Sequence, residues 1–269
     1  MNVAYPGREG AHSAAACALL FPEAETESLP TFGDVVEAVQ FGRHHAGVLP
    51  IESSVVGPVA ETHDLLVDSG VSINAQLIIP IRHFLVGVAE IPLGEIRVVR
   101  SHPVALDQCR RFLASLPQAT AIAAGTTADA AAQVAADRDP TAVAIASERA
   151  AALQGLVVLA ADVGDHPEAY TRFVAIANRT ELGAGENWRI AFSFQTDHRP
   201  GALHRAIEPF ARHGLDLVQL TSRPIPQTPW RYRFDAVVSG HPLDENVRGA
   251  LTEVRLQTPR FTVFGSYPA

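Results

Sequence analysis

NRTELGAGEN, residues 178–187, is the stretch on which the reading of the fold turns. It is polar and carries Gly183 and Gly185, so 179–187 reads as a linker. The order of elements differs on its two sides. Downstream, strand patterns at 189–195, 216–223, 232–239 and 260–265 and helical patterns at 201–214 and 245–254 alternate as βαββαβ. That is the split-βαβ, ferredoxin-like unit, and it predicts a small separate domain over 188–269. Upstream, short β-branched runs at 2–5, 46–51, 71–79, 84–88, 96–100, 142–146, 157–159 and 172–176 read as strands. Helical patterns at 11–20, 58–67 and 104–115 lie between them. Three further helices open at caps: Thr31 with Asp34, Thr126 with Asp129, and Ser147. Alternating strands and helices predict an α/β architecture over 1–178.

Composition narrows the function. The chain has 269 residues, 47% of them hydrophobic, enough for sizeable cores and one or two domains. The net charge of −8 lacks the cationic footprint a nucleic-acid binder needs. All 21 basic residues are Arg. That excludes a Schiff-base lysine and a P-loop lysine, and leaves guanidinium as the only fixed cation for a site. No apolar stretch approaches the ~20 residues of a membrane span, and no signal-peptide pattern follows Met1. A cytoplasmic protein is expected. Cys17 and Cys109 fall in apolar helical patterns and read as buried thiols. The 11 His form no metal-ligand spacing, and neither a metal nor an organic cofactor is expected.

Hydroxyl residues recur where strands give way to helices: Ser13, Ser53 and Ser54, Ser101 with His102, Thr126 with Thr127, and Ser147. Each one alone is an ordinary N-cap. Together they outline a cleft at the carboxyl ends of strands, where free helix N–H groups favour anions. Thr171-Arg172-Phe173 opens a buried strand. Arg172 there is either an internal ion pair or a clamp for a substrate carboxylate.

These segments resemble the prephenate dehydratase family nearly end to end and in order. The resemblance rests on Gly7 to Ser13, on Pro50 to Ser54 with Gly57, on Ser101-His102-Pro103 with Ala105, Leu106, Gln108 and Cys109, and on Thr171-Arg172-Phe173. Downstream, Pro200 to Leu203 and Ser222-Arg223-Pro224 resemble the ACT regulatory domain. The resemblance implies a two-lobed catalytic part like a periplasmic binding protein, spanning 1–178. Its lobes would be roughly 1–78 with 158–178, and 79–157. It implies conversion of prephenate to phenylpyruvate, in phenylalanine biosynthesis, with loss of carbon dioxide and water. Thr171 and Arg172 would be catalytic; Ser13, Ser53, Ser54, Ser101, His102, Thr127 and Phe173 would line the substrate. Phenylalanine would be the effector, held by Gly201, Ala202, Leu203, Asp216, Leu217, Ser222 and Arg223 in a homodimer or homotetramer.

The sequence departs from the family pattern. Ser53 and Ala169 stand where the family has Asn, Thr221 where it has Glu, and Asp216 where it has Asn. Two other readings therefore stand beside the dehydratase: a decarboxylase that keeps the hydroxyl, and a non-catalytic sensor of a dicarboxylate.

Overall fold

The computed structural model describes residues 1–183, 185–225 and 227–269; Ala184 in the expected linker and Pro226 in the expected C-terminal domain lie outside the described residues. Two compact units form, and neither is continuous in sequence. One gathers Met1–Val35, Val48–Val59 and Leu77–Phe173; the other gathers Val36–Gly47, Ala60–Gln76 and Val174–Ala269.

The first unit holds two sheets. In one, Asn2–Pro6 pairs in parallel with Glu25–Leu29, from Asn2↔Glu25 to Pro6↔Leu29. Ala46–Ser53 neighbours Asn2–Pro6, and Tyr170–Ala177 follows it. The short strand Gly57–Pro58 folds back on Ala46–Ser53, pairing Glu52↔Pro58 and Ser53↔Gly57. The other sheet runs in the order Val157–Ala160, Phe84–Gly87, Ala142–Ala146, Val98–Ser101, Thr120–Ala123. Every residue of Ala142–Ala146 is buried, as a central strand covered on both faces requires. Its side chains alternate accordingly. Ala144 and Ala146 pack with Phe84 and Val86 under the helix Thr127–Asp137. Val143 and Ile145 pack with Leu85, Val99, Cys109 and Leu116 on the opposite face.

The three strands Val98–Ser101, Thr120–Ala123 and Ala142–Ala146 are linked by parallel pairing. Their carboxyl ends therefore point the same way. Helices start directly beyond them at Pro103, Thr127 and Glu148, so the caps His102, Thr126 and Ser147 share one sheet edge.

The second unit contains Arg189–Gln195, Ala202–Arg212, Leu217–Pro224, Tyr232–Ser239, Glu245–Gln257 and Phe261–Tyr267, the βαββαβ order the sequence predicts. Arg189–Gln195 pairs antiparallel with Tyr232–Ser239 and with Phe261–Tyr267, and Leu217–Pro224 adds to the far side of Tyr232–Ser239. Phe192, Phe194 and Phe210 fill the core beneath the two helices, with Val247, Ala250 and Val254. Gly265 meets Ile73 of Ser72–Pro80 in parallel. A Cβ at Gly265 would run into the Ile73 backbone, so only glycine fits.

Three sequence readings change. The helix expected over 58–67 starts at Ala60 and runs to Ser69, because Gly57–Pro58 is used as a strand against Ser53 and Glu52. The helix expected over 104–115 is two short ones, Pro103–Asp107 and Arg110–Ala114. Between them, Gln108 gives its carbonyl to the Asp165 N–H (2.6 Å) and its side chain to His83 (2.8 Å), tertiary bonds that outweigh helix continuity. Glu25–Leu29 and Thr120–Ala123 are strands that the pattern of apolar residues does not announce. Cys17 and Cys109 are free and buried, and burial pushes their thiols up to about 11 and about 12. Among the described residues no helix is long and apolar enough to cross a membrane.

Candidate active site

Two groups of side chains gather the residues that the sequence singles out, both in the first unit. The first joins the end of Ala46–Ser53 to the start of Tyr170–Ala177. The Ser54 N–H donates to the Tyr170 carbonyl (2.9 Å), and the Tyr170 N–H donates back to Ser54 Oγ (2.9 Å). This clasp joins the end of one strand to the start of the other, and Arg172 lies beside Glu52. One Arg172 nitrogen lies 3.4 Å from Glu52 Oε2, while Arg172 Nε is buried with no hydrogen-bond partner. The guanidinium is thus aimed but not saturated. Ser53 Oγ accepts from the N–H groups of Val55 and Val56 (3.2 and 3.3 Å) and shapes the turn into Gly57. Ala169, where the sequence lacks the family's amide, is buried, and its carbonyl accepts from the Ile81 N–H (2.8 Å).

The second group sits at the shared edge of the second sheet. Thr126 Oγ1 accepts from the Asp129 N–H (2.9 Å) and donates to the Asp129 carboxylate (2.8 Å), a reciprocal cap that leaves Thr127 half-buried in the first turn. Ser147 Oγ caps Ala150 (3.0 Å) and donates to the Gly10 carbonyl (2.9 Å). Arg8 pairs with the Asp129 carboxylate. Gly10 has φ +90°, and a Cβ there would lie 3.0 Å from Ala150 Cα. The loop after Asn2–Pro6 is therefore fastened to the helix starts at Thr127 and Glu148, and it needs glycine to come so close. That loop leads into His12–Leu20, whose N-cap Ala11 supplies no side-chain acceptor and whose first turn carries Ser13, half-buried.

His102 Nδ1 accepts from the Val104 N–H (3.3 Å), and burial lowers its pKa; both keep the imidazole neutral. His12 is pushed down to about 4, first by burial and then by neighbouring His83, and its Nε2 has no hydrogen-bond partner. His83 is also lowered by burial, against its bond to Gln108.

Two expected lining residues lie elsewhere. Phe173 is 2% exposed and belongs to the core. Ser101 is fully buried and donates to the Ile145 carbonyl (2.7 Å), tying two strands together, so neither presents its side chain at an open surface. Glu52, Arg8 and Asp129 contact the expected site residues or their caps without having been singled out for it. Only the Thr126–Asp129 spacing carried a signal for one of them; the partners of the others are tens of residues away.

In the second unit a cavity of about 500 Å³ is lined by 196–204 and by Arg231, Tyr232 and Phe234. Gly201, Ala202 and Leu203 are among its walls; Asp216, Leu217, Ser222 and Arg223 are not. Asp216 is exposed, just ahead of the outer strand Leu217–Pro224. Leu217 is half-buried and Ser222 exposed on that strand. Arg223 points to Asp64 instead, at 3.1 Å.

Comparison with known proteins settles the kinship. The prephenate dehydratase family profile matches residues 3–181. The chain belongs to the prephenate dehydratase family. It is an enzyme, and its activity is the family's, the decarboxylating dehydration of prephenate. A bifunctional chorismate mutase/prephenate dehydratase of Aquifex aeolicus is 36% identical over 88% of this chain, which spans 65% of that relative. A solved prephenate dehydratase of Arthrobacter aurescens in complex with L-Phe has TM-score 0.92 at 29% identity, covering 100% of this chain and 90% of its own. A further solved structure, described as GqqA, a novel type of quorum quenching acylase, has TM-score 0.87 at 30% identity, covering 100% and 98%.

Proposed function

We propose that Thr171 and Arg172 carry the reaction. The observation behind this is the Arg172 guanidinium, which touches Glu52 at 3.4 Å and keeps a buried Nε donor unspent. A buried donor left without an acceptor costs about 1–3 kcal/mol, and a substrate carboxylate would remove that cost. Arg172 clamps one prephenate carboxylate, and Glu52 holds the guanidinium in place between turnovers. The other carboxylate leaves the ring as carbon dioxide. Its electron pair enters the ring as the C–O bond breaks, and the departing hydroxide takes a proton to become water. The Thr171 hydroxyl orients the leaving group by hydrogen bonding; as a very weak acid it does not itself supply the whole proton. Aromatisation drives the step. Ser13, Ser53, Ser54, His102 and Thr127 line the substrate. Neutral His102 offers a hydrogen bond without adding charge to the pocket.

Residues 1–178 form the catalytic part, of two-lobed periplasmic-binding-protein type, and 188–269 form an ACT regulatory domain of a cytoplasmic homodimer or homotetramer. Phenylalanine enters the cavity at Gly201–Leu203. Its carboxylate meets the N–H groups that open Ala202–Arg212, and a second copy completes the site with the Asp216–Ser222 segment. Val218 and Leu220, exposed on that outer strand, give the second copy an apolar contact.

The purified chain should turn prephenate into phenylpyruvate, read by its ultraviolet spectrum. Thr171→Ala should lower kcat by about 10²-fold or more while KM moves far less. A non-aromatic keto acid product would mark a decarboxylase, and binding without turnover a sensor. Near-normal turnover by Thr171→Ala would remove that residue from the reaction. Millimolar phenylalanine that neither binds nor inhibits the whole enzyme would end the effector reading.

A further inference from the structure

The helix Ala60–Ser69 begins directly after the hairpin that carries Glu52, Ser53 and Ser54. That hairpin closes when the Val59 N–H donates to the Ile51 carbonyl (2.9 Å), one residue before the helix. The helix's first turn is gripped from the strand Leu217–Pro224. Arg223 donates to the Ala60 carbonyl at 3.3 Å and to both Asp64 oxygens at 3.1 Å. Directly across the ladder from Arg223 stands Arg233. Like charges in that register repel. They are held there by two carboxylates: Arg233 donates to Asp64 Oδ1 (2.6 Å) and to Asp235 Oδ1 (3.1 Å). His63, from the same helix, brings Nδ1 to 3.2 Å from Asp235 Oδ2. Arg233, Asp235 and His63 are all about 95% buried.

Such a cluster is a poor source of net stability, because desolvating its charges offsets their attraction. What it does supply is position: with two arginines across a ladder and one carboxylate between them, the helix has one place to sit. We infer that Arg223 and Asp64 are positioning residues for the catalytic hairpin, and that the outer strand acts on the active site through them rather than by holding the effector with Arg223. The inference rests on the proposed roles of the hairpin residues and of phenylalanine. A shift of the strand that moved Arg223 would pull on Ala60 and Asp64. The chain then leads from the helix start straight to the Glu52 that aims Arg172.

The test uses the full chain with prephenate and phenylalanine. Asp64→Asn should lower kcat about 5- to 20-fold in the absence of phenylalanine. Calorimetric binding of phenylalanine should stay within about threefold of the parent, with maximal inhibition at least halved. Asp64→Glu should recover most of both. Arg223→Met, which leaves Arg233 with both Asp64 and Asp235, should keep the parent's melting temperature yet show the low kcat and weak inhibition, which a purely structural pair would not do. Parent-like kcat and inhibition in folded Asp64→Asn would overturn the inference. So would loss of phenylalanine binding by more than tenfold at unchanged kcat, which would make Arg223 an effector ligand. If the parent itself ignores phenylalanine, the effector reading fails alone, and the effector-free kcat of Asp64→Asn still decides the positioning role.

Discussion

Arg172 and Arg233 are the same side chain put to opposite uses. Arg172 has one partner at 3.4 Å and a buried Nε with nothing to bond. Arg233 has Asp64 at 2.6 Å and Asp235 at 3.1 Å, and is 5% exposed. In the proposed function a substrate carboxylate completes the first. The second is complete without one. Burial does not separate the two, since both lie at least partly out of water; the spent or unspent donor does, although Arg100 and Arg223 also keep a buried Nε without a partner.

The contrast can be broken most forcefully at Arg233. Arg233→Met leaves Asp235 buried with one partner fewer and should destabilise the chain by about 3–5 kcal/mol, seen as a lower denaturant midpoint. A variant as stable as the parent would mean that the cluster is no more than tolerated. Arg172→Lys is the complementary change. It should leave the denaturant midpoint close to the parent's and raise KM for prephenate by about 10- to 100-fold, because a point charge cannot reproduce a bidentate fork. Full affinity in that variant would turn Arg172 into a structural partner of Glu52.

The smallest effect is the pH dependence of stability. Burial alone would raise the Asp235 carboxyl, but His63 and Arg233 outweigh it and hold it below the ordinary range. Asp64 is likewise held down, against its burial, by Arg233 and Arg223. Groups with depressed folded values contribute stability above their unfolded pKa, near 4, and lose it as pH falls through the folded value. Urea midpoints between pH 6 and pH 2 should therefore fall below about pH 4, and less steeply in Arg233→Met than in the parent. Equal slopes would detach the acid sensitivity from this cluster.

Much of this was legible in the sequence where one local rule sufficed. The caps at Thr31, Thr126 and Ser147 form the bonds their spacing implies. Ala142–Ala146 is the buried strand its apolar run predicts. The missed strands, Glu25–Leu29 and Thr120–Ala123, are outermost in their sheets and almost wholly exposed. They are placed by backbone pairing with Asn2–Pro6 and Val98–Ser101, which leaves no trace in the pattern of apolar residues. The site was half legible. Thr171 and Arg172 stood out by resemblance, but Glu52 as the partner of Arg172, or Asp64 as the partner of Arg223, depends on contacts across more than a hundred residues. Ser101 shows the converse: a hydroxyl at a strand end looks the same in sequence whether it faces a ligand or a carbonyl in the core.

The seating of Gly265 against Ile73 has a consequence for how the chain is made. The strand that Ile73 belongs to leaves the ribosome about 190 residues before the glycine that completes its edge. At roughly 5–20 residues per second, the gap lasts on the order of 10–40 s. Throughout it, the helix carrying His63 and Asp64 has no partner charges to meet. Folding of this unit is therefore bound to finish only after synthesis has passed Gly265. The nascent chain during that interval is the form most exposed to aggregation and most in need of a chaperone.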